Sequence, residues 1–470
     1  MMKTFSRFLK LAIPLFLTSL FIFLTCNEEP TKPPIVPPTT PDSLKVELTI
    51  EDFGAKDVCL RVTLPDSADG RTVWVNRNGK TLVVIGVQNR DSLLTDTTVS
   101  PATTYRYEAF RLNHQGDTLA IATTSVTTLG LTSHAFKYVI DTLGVMNSWL
   151  LDVAIADDGT IWAVGQVKIR DSTGKIEDVA HNVVKWNGKE WEYLKMYFKP
   201  ECGRPDSSAG EAKSIFISND RRIWIGGAPA VLYQYQPDGM FNSLCIPQQI
   251  RHGTIQKIYV KNNRTLYAAG TSGTIYYWDG NWSRQQTETD LGLTDIADTK
   301  AGLFACGISH NINKTAGVVL KQDGIYWKKV IEGFFEGSGF RESELFKTQL
   351  YGNIESIWQD ERGTLYACGN MLYQFKNGKW GFVRAFQDRL YDDQTRGYLH
   401  SIRGTASNDI FVFGERNTIR HFNGATWQQV GPPFDYNSPI LWYHSDIRNN
   451  VIVGVGTTIQ QKAVIVRLWR

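Results

Sequence analysis

The sequence carries none of the short motifs that mark common enzyme chemistries. It has no phosphate-binding loop, no nucleophile elbow, no His-Glu-x-x-His motif and no cysteine pairs at zinc-binding spacing. Its eight histidines are scattered along the chain, which is typical of surface or packed residues rather than of metal ligands. The sequence therefore predicts no metal and no cofactor, and it favours a role other than catalysis without deciding the matter.

An excess of charge is also absent. The chain has 50 Lys and Arg against 47 Asp and Glu, a net charge of +3. Three of the basic residues, Lys3, Arg7 and Lys10, lie in a segment that we expect to be removed, and 50 − 3 leaves 47 against 47. A chain without net positive charge lacks the electrostatic footprint of a nucleic-acid-binding protein, so we predict no nucleic-acid partner.

Long hydrophobic runs are scarce, and the N-terminus holds the clearest one. An uncharged stretch of 14 residues runs from Leu11 to Leu24 after a basic head. A membrane helix needs about 20 residues, so this stretch fits the core of a secretory signal better, with an uncleaved anchor as the alternative. The run Phe23-Leu24-Thr25-Cys26 that ends it resembles the lipobox of bacterial lipoproteins.

That resemblance implies a signal peptide at residues 1–25, a lipid-modified Cys26 and a location in the bacterial cell envelope, at the outer membrane or periplasmic face. Residues 26–41 would then be the lipidated cysteine and its tether. Residues 27–41 contain six Pro and two Glu, a composition that stays extended. At about 3.1 Å per residue, these residues would span roughly 45 Å.

Residues 42–129 alternate apolar and polar residues in short runs separated by turns, the pattern of a β-sandwich. The run VSPATTYRYEAFRLNHQG is similar to the corner and following strand of a fibronectin type III domain. The resemblance implies that Tyr105 is the corner tyrosine and that Tyr107 and Ala109 face inward. Such a domain would be a spacer, with adhesion as the alternative.

What the sequence has in abundance is repetition. The run LLDVAIADDGTIWAVG at 150–165 recurs as related runs, each closed by a glycine: Gly165, Gly227, Gly270, Gly307, Gly369, Gly414 and Gly456. The spacings between these glycines are 62, 43, 37, 62, 45 and 42 residues. A propeller blade takes about 40 to 50 residues, so we predict a seven-bladed β-propeller at residues 130–470.

Each of the first six repeats continues with another strand, a tight turn and an aromatic residue that opens a fourth strand. These aromatics, which we expect to pack between blades, are Trp191, Phe241, Trp282, Trp327, Trp380 and Trp427. The seventh repeat is one strand short, and residues 134–142, with Phe136 at the aromatic position, supply it. The predicted fold class is thus all-β: a fibronectin type III-like sandwich, then a seven-bladed propeller closed by an N-terminal strand.

The repeats DDGTIWAVG and DERGTLYACG resemble those of periplasmic sensor propellers of the two-component regulator type. Those sensors carry a membrane helix and kinase modules that are not recognisable in this sequence. The resemblance therefore implies a propeller in the envelope, and it does not imply signalling by phosphotransfer.

One face of the predicted propeller is more elaborate than the other. The turns within blades are short, whereas the opposite face receives insertions at 166–181, 195–212, 308–316, 331–353, 384–398 and 431–440. Binding residues tend to lie on variable loops, so this insertion face is the candidate ligand-binding surface. Its aromatic candidates are Phe340, Tyr391, Tyr398 and Tyr436.

The innermost strand of each blade starts at this face, around the mouth of the central channel. The residues predicted there are Lys213, Gln256, Thr294, Glu355, His400 and Trp442. Two interpretations stay open: a site for a polar ligand, or a solvated channel lining.

The cysteines divide into three groups. Cys26 is the lipidation candidate, and Cys59, Cys306 and Cys368 lie in strand-like sequence and should be buried. Cys202 and Cys245 lie in loop-like sequence after the first two blades, and an exported protein permits a disulfide between them.

These observations lead to three functional hypotheses. The first is a lipid-anchored envelope protein whose propeller binds a polysaccharide or a protein partner. The second is a glycan-active hydrolase or lyase on the same face, with catalytic carboxylates among Glu355, Glu342, Glu344 and Asp392. The third is a scaffold in envelope assembly.

Overall fold

A computed structural model describes most of the chain after its N-terminal segment. The described residues are 45–64, 71–87, 90–112, 115–197, 210–236, 238–261, 264–309, 315–335, 352–376, 378–383, 398–433 and 437–470. All regular elements in these ranges are β-strands. In this part of the chain, no helix is long and apolar enough to span a membrane.

The first seven strands form two antiparallel sheets. They are β1 (Glu47–Phe53), β2 (Val58–Thr63), β3 (Arg71–Arg77), β4 (Lys80–Val87), β5 (Asp91–Asp96), β6 (Thr104–Leu112) and β7 (Thr118–Thr127). One sheet has the order β1-β2-β5 and the other β4-β3-β6-β7. The inward-facing Tyr107 and Ala109 are fully buried. The Tyr105 hydroxyl accepts a hydrogen bond from the Ser100 amide at 2.8 Å, the contact expected of a corner tyrosine.

The membership of this sandwich in the fibronectin type III family stays a prediction, as do the domain boundaries at 42–129 and 130–470.

The remaining strands form seven blades, each with four antiparallel strands that are consecutive in sequence except in blade 7. The strand that precedes them is β8 (Lys137–Leu143), and blade 1 comprises β9 (Trp149–Ile155), β10 (Ile161–Val167), β11 (His181–Trp186) and β12 (Trp191–Leu194). Blades 2 and 3 comprise β13 (Ala212–Ile217), β14 (Ile223–Gly227), β15 (Val231–Tyr235), β16 (Phe241–Leu244), β17 (Ile255–Lys261), β18 (Thr265–Gly270), β19 (Ile275–Trp278) and β20 (Trp282–Arg284).

Blade 4 carries a short additional strand at its outer edge. The additional strand is β21 (Gln286–Thr287), and blade 4 itself comprises β22 (Gly292–Thr299), β23 (Gly302–Ile308), β24 (Thr315–Asp323) and β25 (Tyr326–Phe335). Blades 5 to 7 comprise β26 (Ile354–Gln359), β27 (Leu365–Gly369), β28 (Leu372–Lys376), β29 (Lys379–Phe382), β30 (Leu399–Ala406), β31 (Asp409–Gly414), β32 (Ile419–Phe422), β33 (Trp427–Gln429), β34 (Ile440–Arg448), β35 (Val451–Thr458) and β36 (Ala463–Trp469).

Blade 7 is completed by the strand that precedes blade 1. β8 pairs antiparallel with β36, from Leu143 opposite Ala463 to Lys137 opposite Trp469. The predicted all-β fold with an N-terminal closing strand is therefore confirmed for the propeller. Closure joins the first and last strands of the propeller in one sheet, so the ring has no open seam.

A separate hydrophobic core fills each space between adjacent blades, and each core receives one aromatic from an outer strand. Trp191 belongs to the core between blades 7 and 1, and Phe136 to that between blades 6 and 7. The other five aromatics occupy the remaining spaces: Phe241, Trp282, Trp327, Trp380 and Trp427. The expected packing of these side chains between blades is confirmed.

Every blade has a β-bulge at the same place in its innermost strand. The pairing register shifts there by one residue, which leaves one residue of the inner strand unpaired in each blade: Leu151, Lys213, Gln256, Thr294, Glu355, His400 and Tyr443. The residue just before the bulge lies opposite the repeated glycine. A Cβ on any of these seven glycines would overlap a carbonyl oxygen of the inner strand, which explains why glycine recurs there.

The sandwich contacts the face of the propeller that carries the short turns within blades, which we call the hairpin face. Arg362, in the turn between β26 and β27, binds two carboxylates of the sandwich: its Nε lies 2.7 Å from Asp52 Oδ1, and its Nη2 lies 2.7 Å from Asp57 Oδ2. Lys376 Nζ lies 3.0 Å from the same Asp57 oxygen. These contacts place the sandwich beside blade 5 and away from the insertion face.

The bulge account predicts that Gly369→Ala destabilises the protein much more than Gly381→Ala. The added methyl at Gly369 meets the Asn353 carbonyl oxygen, whereas a Cβ at Gly381, in the same blade, meets no atom within 4 Å. Such overpacking lowers the free energy of unfolding by about 1–3 kcal/mol. Urea unfolding followed by tryptophan fluorescence measures the difference, and equal midpoints for the two variants would contradict the account.

Candidate ligand-binding site

The seven bulged residues meet around one recess on the insertion face, which we call the mouth. The mouth is a cavity of about 130 Å³ lined by Leu151, Asp152, Lys213, Gln256, Lys257, Thr294, Glu355, His400, Tyr443 and His444. Five of the six positions predicted from the starts of the inner strands are thus brought together. The bulge is the physical reason, because the extra residue turns its side chain toward the channel axis.

Trp442 is the exception, and its predicted position at the mouth is wrong. Its side chain is fully buried in the core between blades 6 and 7. Trp442 lies opposite Gly456, before the bulge, and the unpaired residue that faces the mouth is Tyr443. Neighbouring residues of a strand point to opposite sides, so an error of one position exchanges core and cavity.

One of the four predicted aromatic candidates, Tyr398, lies within the described residues. Tyr398 lies beside the mouth, where its hydroxyl donates a hydrogen bond of 2.8 Å to Glu355 Oε2. The other three aromatic candidates, Phe340, Tyr391 and Tyr436, lie outside the described residues. So do three of the proposed catalytic carboxylates, Glu342, Glu344 and Asp392. Their roles stay predictions.

The cysteines follow the expected division as far as they are described. Cys59, Cys306 and Cys368 are free and buried, which confirms that prediction. Cys245 is disulfide-bonded. Its predicted partner Cys202 and the lipidation candidate Cys26 lie outside the described residues, so that pairing and the lipidation stay predictions.

Directly below the mouth, every blade contributes a polar residue that the sequence analysis did not single out. These residues follow the bulge by one position and form a layer across the channel, which we call the polar plug: Asp152, Ser214, Lys257, Asp295, Ser356, Ser401 and His444. The sequence does contain this pattern, since the otherwise apolar inner strand of all seven repeats carries a polar residue at the plug position. Recognising the pattern requires the seven repeats to be aligned without an error of even one residue.

Two ion pairs and one histidine form the centre of the plug, and we count Arg403 of β30 with the plug because it supplies one of the cations. Lys257 Nζ lies 3.0 Å from Asp152 Oδ2, and Arg403 Nη1 lies 2.9 Å from Asp295 Oδ2. His444 Nε2 lies 3.1 Å from both Lys257 Nζ and Arg403 Nη2. Because both neighbours are cationic donors, this nitrogen accepts, and the proton is on Nδ1, which lies 2.9 Å from Asp152 Oδ1.

The pKa values in the plug agree with this arrangement. Burial lowers the pKa of His444, and the nearby Lys257 and Arg403 lower it further against the effect of Asp152. Burial would raise the pKa of Asp295, but Arg403 and Lys257 outweigh it and hold the carboxyl below its usual range. The plug thus contains two anions, two cations and one neutral imidazole, without net charge.

The plug also joins neighbouring blades. Asp152 of blade 1 accepts hydrogen bonds of 3.0 Å from the Ser214 hydroxyl and the Ile215 amide of blade 2. Asp295 of blade 4 accepts equivalent bonds from Ser356 and Ile357 of blade 5, at 2.6 and 3.1 Å. These buried bonds fix the inner strands relative to one another, and with them the side chains of the mouth.

Burial also shifts the pKa values of two bulged residues of the mouth, Glu355 and His400. Burial raises the pKa of Glu355 to about 7, although the hydrogen bond from Tyr398 opposes the shift. Burial lowers the pKa of His400 to about 4, so this imidazole is neutral at physiological pH. Its Nε2 is buried and has no hydrogen-bond partner among the described residues.

A second cavity lies at the other end of the channel, on the hairpin face. It measures about 400 Å³, and Phe216, Tyr259, Trp358, Arg403 and Asp446 are among its lining residues. Lys257 and His444 line both cavities, so the polar plug is the wall between them. Within the described ranges, no group of three or more His, Cys, Asp or Glu residues is placed to hold a metal ion.

The fold and this site define the class of the protein as a propeller with a recess at one channel end. No protein-family model and no curated protein matches the chain. Among solved structures, YCF48 bound to D1 peptide is 15% identical with a TM-score of 0.49, over 71% of this chain and 95% of that one. YCF48 from Cyanidioschyzon merolae is 12% identical with a TM-score of 0.46, over 70% of this chain and 98% of that one.

A third similar structure is a catalytically inactive virginiamycin B lyase from Staphylococcus aureus with quinupristin. It is 13% identical with a TM-score of 0.44, over 72% of this chain and 100% of that one. Similarities at this level assign no function, and the propeller assignment rests on the strand order of the blades.

The plug predicts that Arg403→Met strongly destabilises the protein, because it leaves Asp295 buried without its cation. Breaking a buried pair in this way lowers the free energy of unfolding by about 3–5 kcal/mol. Arg222→Met is the matched control, since the 3.0 Å pair of Arg222 with Asp220 is partly exposed, and loss of such a pair costs about 1 kcal/mol or less. Thermal unfolding at pH 7 compares the two variants, and a similar loss in both would contradict the assignment.

Proposed function

We propose that the protein is a lipid-anchored lipoprotein of the bacterial cell envelope whose propeller binds a polysaccharide or a protein partner at the mouth. The observation that carries the proposal is the convergence of one bulged side chain from each blade on a single recess. The recess opens on the face that receives the insertions, where binding loops are expected.

The chemistry of the mouth favours binding over hydrolysis of a glycan. A hydrolase needs two carboxyl groups about 5 to 10 Å apart, both available to the substrate. The described lining contains two carboxylates, Glu355 and Asp152. Asp152 is held by Lys257, Ser214 and a backbone amide, so Glu355 is the one carboxylate of the described lining that is free to meet a ligand.

The position of the sandwich supports a role as a spacer. β1 ends at Phe53, and this end lies at the propeller because Asp52 and Asp57 bind Arg362 there. The first residue of β1, Glu47, is at the opposite end of the strand. The two ends of this seven-residue strand are six steps of about 3.3 Å apart, or roughly 20 Å. The tether would therefore join the sandwich at the end away from the propeller, and the mouth would open away from the anchor.

The anchor predicts that the chain incorporates a radiolabelled fatty acid in a bacterial host and loses its first 25 residues. Cys26→Ser should abolish both the label and the processing, because the thiol is the site of acylation in the proposed lipobox. Cys59→Ala is the control and should keep both. A Cys26→Ser protein that stays labelled and processed would contradict the anchor.

The binding function is tested with the purified chain, residues 27–470, and a panel of envelope polysaccharides and peptides. Depletion of the protein reports binding, and release of small sugars reports hydrolysis. We expect binding without release, reduced at least about tenfold by Gln256→Ala at the mouth and unchanged by Asn219→Ala at the opposite cavity. Sugar release would establish the enzyme instead, and no binding in either arm would favour the assembly scaffold.

A further inference from the structure

The mouth contains a carboxylate that has no cationic partner among the described residues. Three carboxylates lie at or just below the mouth, and two of them are paired: Asp152 with Lys257 and Asp295 with Arg403. Glu355 makes no ion pair with any described residue, and its only side-chain hydrogen bond there comes from Tyr398. A partly desolvated carboxylate without a counter-ion is costly, so a ligand that supplies the charge gains affinity.

The lysines of the mouth do not supply that charge. Lys213 Nζ lies 2.9 Å from Glu211 Oε2, and Lys257 is held by Asp152. Arg403, the remaining nearby cation, is engaged by both oxygens of Asp295. Each cation of the described surroundings is thus already paired.

Aromatic side chains lie near the unpaired carboxylate. The ring centroid of His400 lies 4.7 Å from that of Tyr398 and 5.6 Å from that of Tyr443, and both contacts are edge-on. His400 and Tyr443 line the same recess as Glu355. A carboxylate beside aromatic faces is the environment that binds ammonium groups, through ion pairing and cation–π attraction together.

We propose that the mouth binds an ammonium group, the end of a lysine side chain of a protein partner, with Glu355 as its counter-ion, His400 and Tyr443 as its walls, and Tyr398 holding the carboxylate in place. This inference rests on the proposed function, since it concerns the same recess, and it adds the chemical class of the ligand.

The dimensions of the recess favour a lysine over an amino sugar. A cavity of about 130 Å³ has the volume of about four water molecules at roughly 30 Å³ each. An ammonium on a slender methylene chain enters such a space without the rest of its molecule. The ammonium of a glucosamine is attached directly to the sugar ring, so the ring would have to enter as well.

The proposal predicts a pH dependence with a definite sign. Ammonium binding requires ionised Glu355, so affinity should rise from pH 6 to pH 8, through the pKa of about 7, and fall on acidification. The other titratable and charged groups that face it are Tyr398, His400, Cys306, Cys368, Lys213, Lys257, Arg403, Asp152, Asp295 and His444. Burial keeps His400 neutral, and it raises the pKa values of Tyr398 and both thiols, so none of these four changes charge in this interval.

The test uses the full chain in detergent and two tripeptide probes, N-acetyl-Gly-Lys-Gly-amide and the same peptide with an acetylated lysine side chain. Saturation-transfer NMR measures the two dissociation constants at pH 6 and pH 8. We expect the charged probe to bind at least about tenfold more tightly than the neutral one at pH 8. Glu355→Gln, which keeps the shape and removes the charge, should abolish this preference, whereas Glu190→Gln on the hairpin face should preserve it.

Three results would overturn the inference. The first is equal binding of both probes. The second is an unchanged preference in a Glu355→Gln protein whose thermal unfolding is normal. The third is binding of glucosamine oligomers at the mouth while the lysine peptide does not bind, which would reject the protein source. If a neutral polysaccharide binds at the mouth and Glu355→Gln leaves it unaffected, the proposed function stands and only the ammonium inference fails.

Discussion

The structure of the propeller depends on a close backbone approach that each blade repeats. At the bulge, the inner strand gains one residue and its carbonyl oxygen comes so near to the second strand that only glycine fits there. The same local event has three consequences along the strand. The residue before the bulge enters the core between blades, the bulged residue faces the mouth, and the next residue enters the polar plug. Core, cavity and plug are therefore set by one backbone feature.

The plug and the mouth differ in whether their carboxylates are paired with cations. In the plug, Asp152, Asp295, Lys257 and Arg403 are paired with one another and with hydroxyl and amide donors of adjacent blades. A buried network of ion pairs and hydrogen bonds such as this one rigidifies what it joins. One layer above it, the Glu355 carboxylate accepts a hydrogen bond from Tyr398 and pairs with no cation of the described part of the chain. A rigid, neutral base beneath an uncompensated carboxylate is an arrangement suited to recognition of a charged group rather than to a solvated pore.

The sequence repeats predict much of this architecture, because each repeat corresponds to one blade. The seven glycines predict the number of blades, the missing last strand predicts closure by the segment that became β8, and the strand starts predict five of the six mouth residues. The repeats did not settle the register in blade 7, where Trp442 and Tyr443 are both aromatic and the pattern fits either one. The pairing of Lys257 with Asp152 was also inaccessible, since these residues are 105 positions apart and meet only when the ring closes.

The central claim, that the mouth is the ligand-binding site, is tested most directly by hydrogen–deuterium exchange of the chain with and without a bound ligand from the panel. The account predicts slower exchange at the starts of the inner strands β26, β30 and β34, where Glu355, His400 and Tyr443 lie. Exchange at the hairpin turns, such as Asn449 and Asn450 between β34 and β35, should be unchanged. Protection confined to the hairpin face or to the sandwich would contradict the account.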